Sequence, residues 1–210
     1  MIRGLLIEGT DYAGKTTVCS LVAAALQARG VATHVGHCYV HDATILDHFL
    51  AEAKKSTDLL QIDWYYTANI LLDLGECRRR LPEAFVVQDR HWLSQVGRNE
   101  FFHASEPRLP TRTIWDLHLP FEHNFYLASD LVTKRARSAL RPAKSVRDRY
   151  LRENPERHQQ YDEFLRHLLP EAESWTVIDT SPLTPAEVAS RIVDHVTGDT
   201  ARCVAAPALQ

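Results

Sequence analysis

The sequence predicts an α/β chain, a five-stranded parallel sheet with helices on both faces and an arginine-rich lid. Two observations predict it. Short apolar runs alternate with segments of helical periodicity along the chain, the order that yields a parallel sheet with crossover helices. Residues 9–16 read G-T-D-Y-A-G-K-T, a glycine-rich turn set directly between the first apolar run and the first helical pattern. The 210 residues suffice for one such domain with an ample core.

Leu5, Leu6 and Ile7 begin the argument as the first strand. Gly9 and Gly14 let the backbone after it curl so that successive N–H groups face inward as an anion nest. The helix patterned by Val18, Leu21, Val22, Ala25 and Leu26 adds the positive end of its dipole. Gly9, Thr10, Asp11, Tyr12, Ala13, Gly14, Lys15, Thr16 and Thr17 are therefore the expected ATP-binding loop. In it Lys15 reaches the outer phosphates and the Thr16 hydroxyl ligates Mg²⁺. Arg29-Gly30 stops the helix, and 31–35 is the predicted second strand.

His34, His37, Cys38 and His41 crowd together next. Their spacing invites a metal reading. Zinc sites usually draw a second ligand pair from elsewhere, and none of matching spacing exists, so the stretch reads as a substrate-lining loop. Helices are predicted at 42–55 and 59–80, the second capped from Ser56-Thr57-Asp58. On it Tyr66 and Asn69 lie three residues apart on a similar face. Tyr66 reads either as core or as an aromatic that stacks on a base.

A buried-type strand at 84–88 runs into Asp89-Arg90. At the carboxyl end of a parallel strand, Asp89 is placed for Mg²⁺ or its water shell, and the Arg90 fork for phosphate. A helix follows at 91–103. The segment 104–119, with Pro107 and Pro110, reads as a loop-rich insert. After a strand at 123–127, a helix capped by Ser129 or Asp130 runs into Lys134-Arg135-Ala136-Arg137 until Arg141-Pro142 interrupts it.

The run 134–149 holds seven Lys/Arg against one Asp, a net +6 in a chain of net −3, which leaves −9 for the remainder. Such a one-sided run reads as a mobile flap closing over a triphosphate, without continuous regular structure. A charged helix at 154–169, a strand at 175–178 and a helix started by Thr184-Pro185-Ala186-Glu187 complete the domain. That domain is 1–197, with the lid at 134–149 and a flexible tail at 198–210.

Composition narrows the function class. The net charge of −3 excludes a general basic surface for nucleic acid. No uncharged run is long enough to span a bilayer, and a first strand starting at Ile2 leaves no room for a secretory signal. A cytoplasmic protein without membrane partners is expected. Cys19, Cys38, Cys77 and Cys203 lie far apart without a C-x-x-C pair, which suits reduced thiols.

Four stretches carry a resemblance: I-E-G-T-D-Y-A-G-K-T-T at 7–17, Y-T-A-N at 66–69, V-V-Q-D-R-H-W-L-S at 86–94 and I-D-T-S-P-L-T-P-A-E-V at 178–188. From about residue 2 to 196 the chain resembles the thymidylate kinase family. The resemblance implies a P-loop NTPase three-layer sandwich, ATP as phosphoryl donor, Mg²⁺ as cofactor and a homodimer. It implies Asp11 at the acceptor sugar hydroxyl, Tyr66 on the acceptor base with Asn69 and Ile70 beside it, and Arg90 on the acceptor phosphate. Ser94 would line the acceptor pocket, Asp89 would sit near Mg²⁺, and Arg135 would lie against the donor adenine.

Some family members carry a catalytic arginine in the phosphate loop, where this chain has Tyr12. The burden then shifts to Arg137 or Arg141, with Arg147 and Arg149 in reserve, beside Lys15, Asp89 and Arg90. Two departures concern the acceptor. Ile70 stands where the family reads the thymine edge with an arginine, and 34–38 lacks the family's acceptor-phosphate arginine. An apolar wall discriminates a base edge poorly.

The expected activity is Mg²⁺-dependent transfer of the γ-phosphate of ATP to a nucleoside monophosphate, dTMP-like or modified. An unphosphorylated nucleoside or an unusual specialised-metabolism acceptor is the alternative. An ATP-binding regulatory protein with a decayed acceptor site is the third reading.

Overall fold

Ile2–Glu8 forms β1, buried at every residue but one, as a strand covered on both faces must be. A computed structural model describes residues 1–41, 44–105, 109–140, 142–143 and 146–198. In it β1 is the central strand. Around it lie β2 (Thr33–His37), β3 (Phe85–Asp89), β4 (Phe121–Ala128) and β5 (Trp175–Asp179). All pairs are parallel and the order is β2-β3-β1-β4-β5. The P-loop-type α/β sandwich expected from the sequence is what forms.

The period-two alternation of buried strands sorts side chains into two cores. Leu5, Ile7, Val87, Phe125 and Leu127 pack on one face against α1 (Lys15–Ala28) and α9 (Pro185–Thr197). Leu6, Val86 and Tyr126 face the other way. There they meet α3 (Leu59–Arg79), α4 (Trp92–Phe102), α5 (Thr111–Leu117) and α8 (Pro155–His167) through Ile70, Trp92, Ile114 and Leu165. Three further helices, α2 (Thr44–Lys55), α6 (Leu131–Ala139) and α7 (Val146–Glu153), complete the described chain.

Most boundaries fall within two residues of expectation, and the caps are the expected ones. Asp58 accepts from the Leu60 and Gln61 amides, Asp130 caps α6, and Thr184 and Glu187 form a reciprocal capping box. β2 runs to His37 because its pairing with β3 continues until His37 meets Asp89.

One expectation is corrected: the 104–119 insert contains α5, whose Ile114 is fully buried. The lid is not one continuous element, since α6 ends at Ala139 and α7 begins at Val146, burying Arg147, Asp148 and Leu151. Arg141 and the predicted tail from 199 onward lie outside the described residues. No helix among the described residues is long and apolar enough to cross a membrane.

Candidate active site

The carboxyl ends of β1 and its two neighbours meet where the strand order reverses, which opens a crevice. The loop after β1 fits there only because of glycine. A Cβ at Gly9, whose φ is +140°, would lie 2.4 Å from the Leu127 carbonyl oxygen. Gly14, at φ +94°, starts α1 from the left-handed region. A cavity of about 730 Å³ opens over this loop, lined by residues 11–18 together with His37, Cys38, Tyr66, Arg90, Arg98, Arg137 and Arg147 among others.

Lys15 Nζ donates to the Thr10 carbonyl at 2.5 Å. Burial is the largest influence on this amine, and with nearby Arg90 it lowers the pKa to about 8. Thr16 Oγ1 donates to Asp89 Oδ2 at 2.6 Å, joining the first helix to the end of β3. Burial pushes the Asp89 carboxyl up, but the hydrogen bond from His37 and the Lys15 charge override it and hold the pKa at about 2. Its other oxygen, Oδ1, is buried without a hydrogen bond among the described residues. A hydroxyl and an ionised carboxylate with a spare buried oxygen are hard donors of the kind Mg²⁺ takes.

Arg90, held at φ +63°, pairs with Asp11 at 2.6 Å and donates to the Gly9 carbonyl and the Ser94 hydroxyl. Arg90 and Lys15 keep the Asp11 carboxyl below the usual range despite its burial. Ser94 does not line the cavity as expected. It is fully buried, donates to Glu8 and receives from Arg90, so it positions Arg90 from behind. Glu8 also accepts the His91 and Ser94 amides. Sequence reasoning missed Glu8; the only signal was a carboxylate closing a buried strand.

Among the lid arginines, Arg137 reaches the loop. It donates to the Tyr12 carbonyl at 3.1 Å and to both oxygens of Thr180. Arg135, expected against the adenine, is exposed and does not line the cavity. Arg149 is also exposed. Lys134 is buried and spent on Asp162 at 3.1 Å, a carboxylate that also takes the Thr10 and Tyr126 hydroxyls. Tyr12, at φ +66°, donates its hydroxyl to Asp148 and accepts from Arg152 Nε, which docks α7 onto the loop.

Of the acceptor residues on α3, Tyr66 lines the cavity, and Asn69 and Ile70 do not. Asn69 is 1% exposed and donates to the Leu46 carbonyl, tying α3 to α2. Ile70 belongs to the core beside Val40 and Leu74. The helix borders the cavity only around Ile62 and Tyr66, and one turn later α2 covers it.

In their place the structure brings two arginines that sequence reasoning did not assign to the acceptor. Arg98 lies 4.8 Å from the Tyr66 ring centroid. Arg147 pairs with Asp63. Arg98 sits one helical turn past Ser94, the signal by which it could have been found.

The histidine-rich stretch is divided. His37 and Cys38 line the main cavity, whereas His34 and His41 border a second one. The hydrogen bond to Asp89, with a second to Cys38, raises His37 to about 10.

The all-parallel sheet order with helices on both faces defines the class by fold, an α/β sandwich like that of thymidylate kinase. Among solved structures, thymidylate kinase from Candida albicans superposes with a TM-score of 0.62, covering 94% of this chain and 92% of that chain at 14% identity. That enzyme is described as having a broad substrate specificity. At this identity the likeness is one of fold. No protein-family model and no curated protein sequence matches the chain.

Proposed function

We propose that this chain is a kinase transferring the γ-phosphoryl group of ATP to a nucleotide-like acceptor. The observation that carries the reading is that Lys15, Thr16 and Arg137 share one cavity with Tyr66 and Arg90, with Asp89 held behind Thr16 by its hydroxyl. The amides of the glycine loop and the start of α1 form the anion site for the triphosphate. The acceptor oxygen attacks the γ-phosphorus, the bond to the bridging oxygen breaks, and ADP leaves.

Lys15 exchanges the Thr10 carbonyl for a phosphate oxygen and offsets developing charge. Arg137, already on the loop backbone, adds a second cation. Arg90 turns from Gly9 and Ser94 to orient the acceptor phosphate, and Tyr66 offers its ring to the base. Thr16 and Asp89 would hold Mg²⁺, which when bound would supply positive charge against the phosphates. The burial of Asn69 and Ile70 favours an acceptor other than dTMP, because the turn expected to read a thymine edge lies outside the cavity.

ADP release with Mg²⁺ and ATP across dTMP, dUMP, UMP, CMP, thymidine and uridine tests the reading. At least one acceptor should be turned over, and Lys15→Ala should lose about 100-fold or more of that rate while still melting cooperatively. A Lys15→Ala protein as active as the wild type would remove the loop from the mechanism.

A further inference from the structure

Arg98 and Arg147 carry an inference that rests on the acceptor reading above. They come from α4 and α7 and meet at one carboxylate, Asp63 of α3, which is fully buried. Arg147 is 7% exposed and takes Asp63 Oδ2 directly. Arg98 Nε stays 3.8 Å from Oδ1, beyond hydrogen-bond distance, while its guanidinium lies over the Tyr66 ring. Asp63 also accepts from His103 at 2.8 Å. Arg98 Nε and Arg147 Nη1 are buried without a hydrogen bond among the described residues.

Burying a guanidinium costs desolvation that only a well-placed partner offsets. Two guanidiniums on one shared carboxylate leave a positive charge uncompensated. Among the described residues the cavity lining repeats the imbalance, with Lys15, Lys54, Arg90, Arg98, Arg137 and Arg147 against Asp11 and Asp148.

The triphosphate of ATP and the acceptor phosphate use the cations at the glycine loop. Arg98 lies in the second turn of α4, eight residues past Arg90, and Arg147 comes from the lid helix. These two are left for the part of the acceptor that lies on Tyr66. A neutral pyrimidine edge would leave them uncompensated. Asp63 shows that a carboxylate suits this cluster, and the planar fork of arginine matches that group with two parallel hydrogen bonds.

We propose that the acceptor is a nucleotide whose base portion carries a carboxylate, and that Arg98 and Arg147 bind that group. The test is calorimetry on the full chain with Mg²⁺ and a non-hydrolysable ATP analogue. The probes are orotidine 5′-monophosphate against UMP, and 5-carboxy-dUMP against dUMP. At least one carboxylated nucleotide should bind tenfold or more tighter than its parent, about the effect of one charge-assisted hydrogen bond.

Arg98→Gln, whose contact with Asp63 is the looser one, should erase that preference, leaving each carboxylated probe within about twofold of its own parent measured on the same variant. Arg147→Gln should do the same where it folds. No heat from the ATP analogue would defeat the kinase reading itself. Heat from the analogue with no preference for either carboxylated probe, or with neither binding, would overturn the carboxylate assignment alone. A preference that survives Arg98→Gln would overturn it too.

Discussion

Glu8 and Asp162 are buried carboxylates that each gather three or more donors, and the buried Asp63 takes His103 and Arg147, as an ion out of water must find partners. His158 is the opposite case. It is 3% exposed and its Nε2 has no hydrogen bond among the described residues. Burial first, then the charge of Lys134, lowers its pKa to about 4; Lys15 acts in the same direction, and Asp11 and Asp162 oppose. The folded pKa therefore lies below the unfolded value of about 6.5, so between those values the unfolded chain binds the extra proton. Stability should fall by about 2 kcal/mol from this group between pH 7 and pH 5. Urea midpoints at the two pH values should show that drop in the wild type and a smaller one in His158→Leu. An equal drop in both would mean the ring titrates normally. At this scale the sequence was legible where spacing is tied to chemistry: Lys15, Thr16, Asp89 and Arg90 sit at motif positions that the fold brings together. Arg98 and Glu8 were not legible, because a lone charge on a helix or at a strand end looks the same whether it faces solvent or a buried partner.

Among the elements, α7 shows why periodicity reached its limit. Its buried face is made of Arg147 and Asp148 as much as of Leu151, and a face built on ion pairs leaves no apolar stripe to read. The same holds in reverse for α5, where Pro107 and Pro110 suggested a loop and Ile114 buries a helix of seven residues. Strands and long helices were read nearly to the residue because their burial follows periods of two and 3.6. α7 is held at one point by Arg147 on Asp63 and at another by Tyr12 on Asp148 and Arg152. Tyr12→Phe removes the hydroxyl and keeps the ring over which Arg152 lies. Amide exchange across Val146–Glu153 should then quicken by about tenfold, the equivalent of one lost buried hydrogen bond, with exchange in α1 unchanged. If exchange there stayed as in the wild type, the Tyr12 hydroxyl would not be what holds this helix.

For the whole molecule, one topological fact sets the site. β1 lies between β3 and β4, where the strand order reverses, so residues 9–16, 89–90 and 137 are far apart in sequence and adjacent in space. The two cores pack on either side of β1 at that junction. A ligand seated in the junction ties α1, β3 and α6 together in the folded chain and has no site in the unfolded one. Binding must therefore raise thermal stability by mass action. At a hundredfold excess over Kd, Mg²⁺ and ATP should add about 2.7 kcal/mol. For a chain of this size that corresponds to about 5–10 °C in Tm. With EDTA in place of Mg²⁺ the shift should shrink, because Thr16 and Asp89 lose the ion through which they would reach the phosphates. Lys15→Ala should melt near the wild-type temperature without ligand and respond weakly to it, since its amine touches only the Thr10 carbonyl within the loop. A wild-type chain whose melting is unmoved by millimolar Mg²⁺ and ATP would have the fold without the nucleotide site, and the phosphotransfer reading would fall while the sheet order stood.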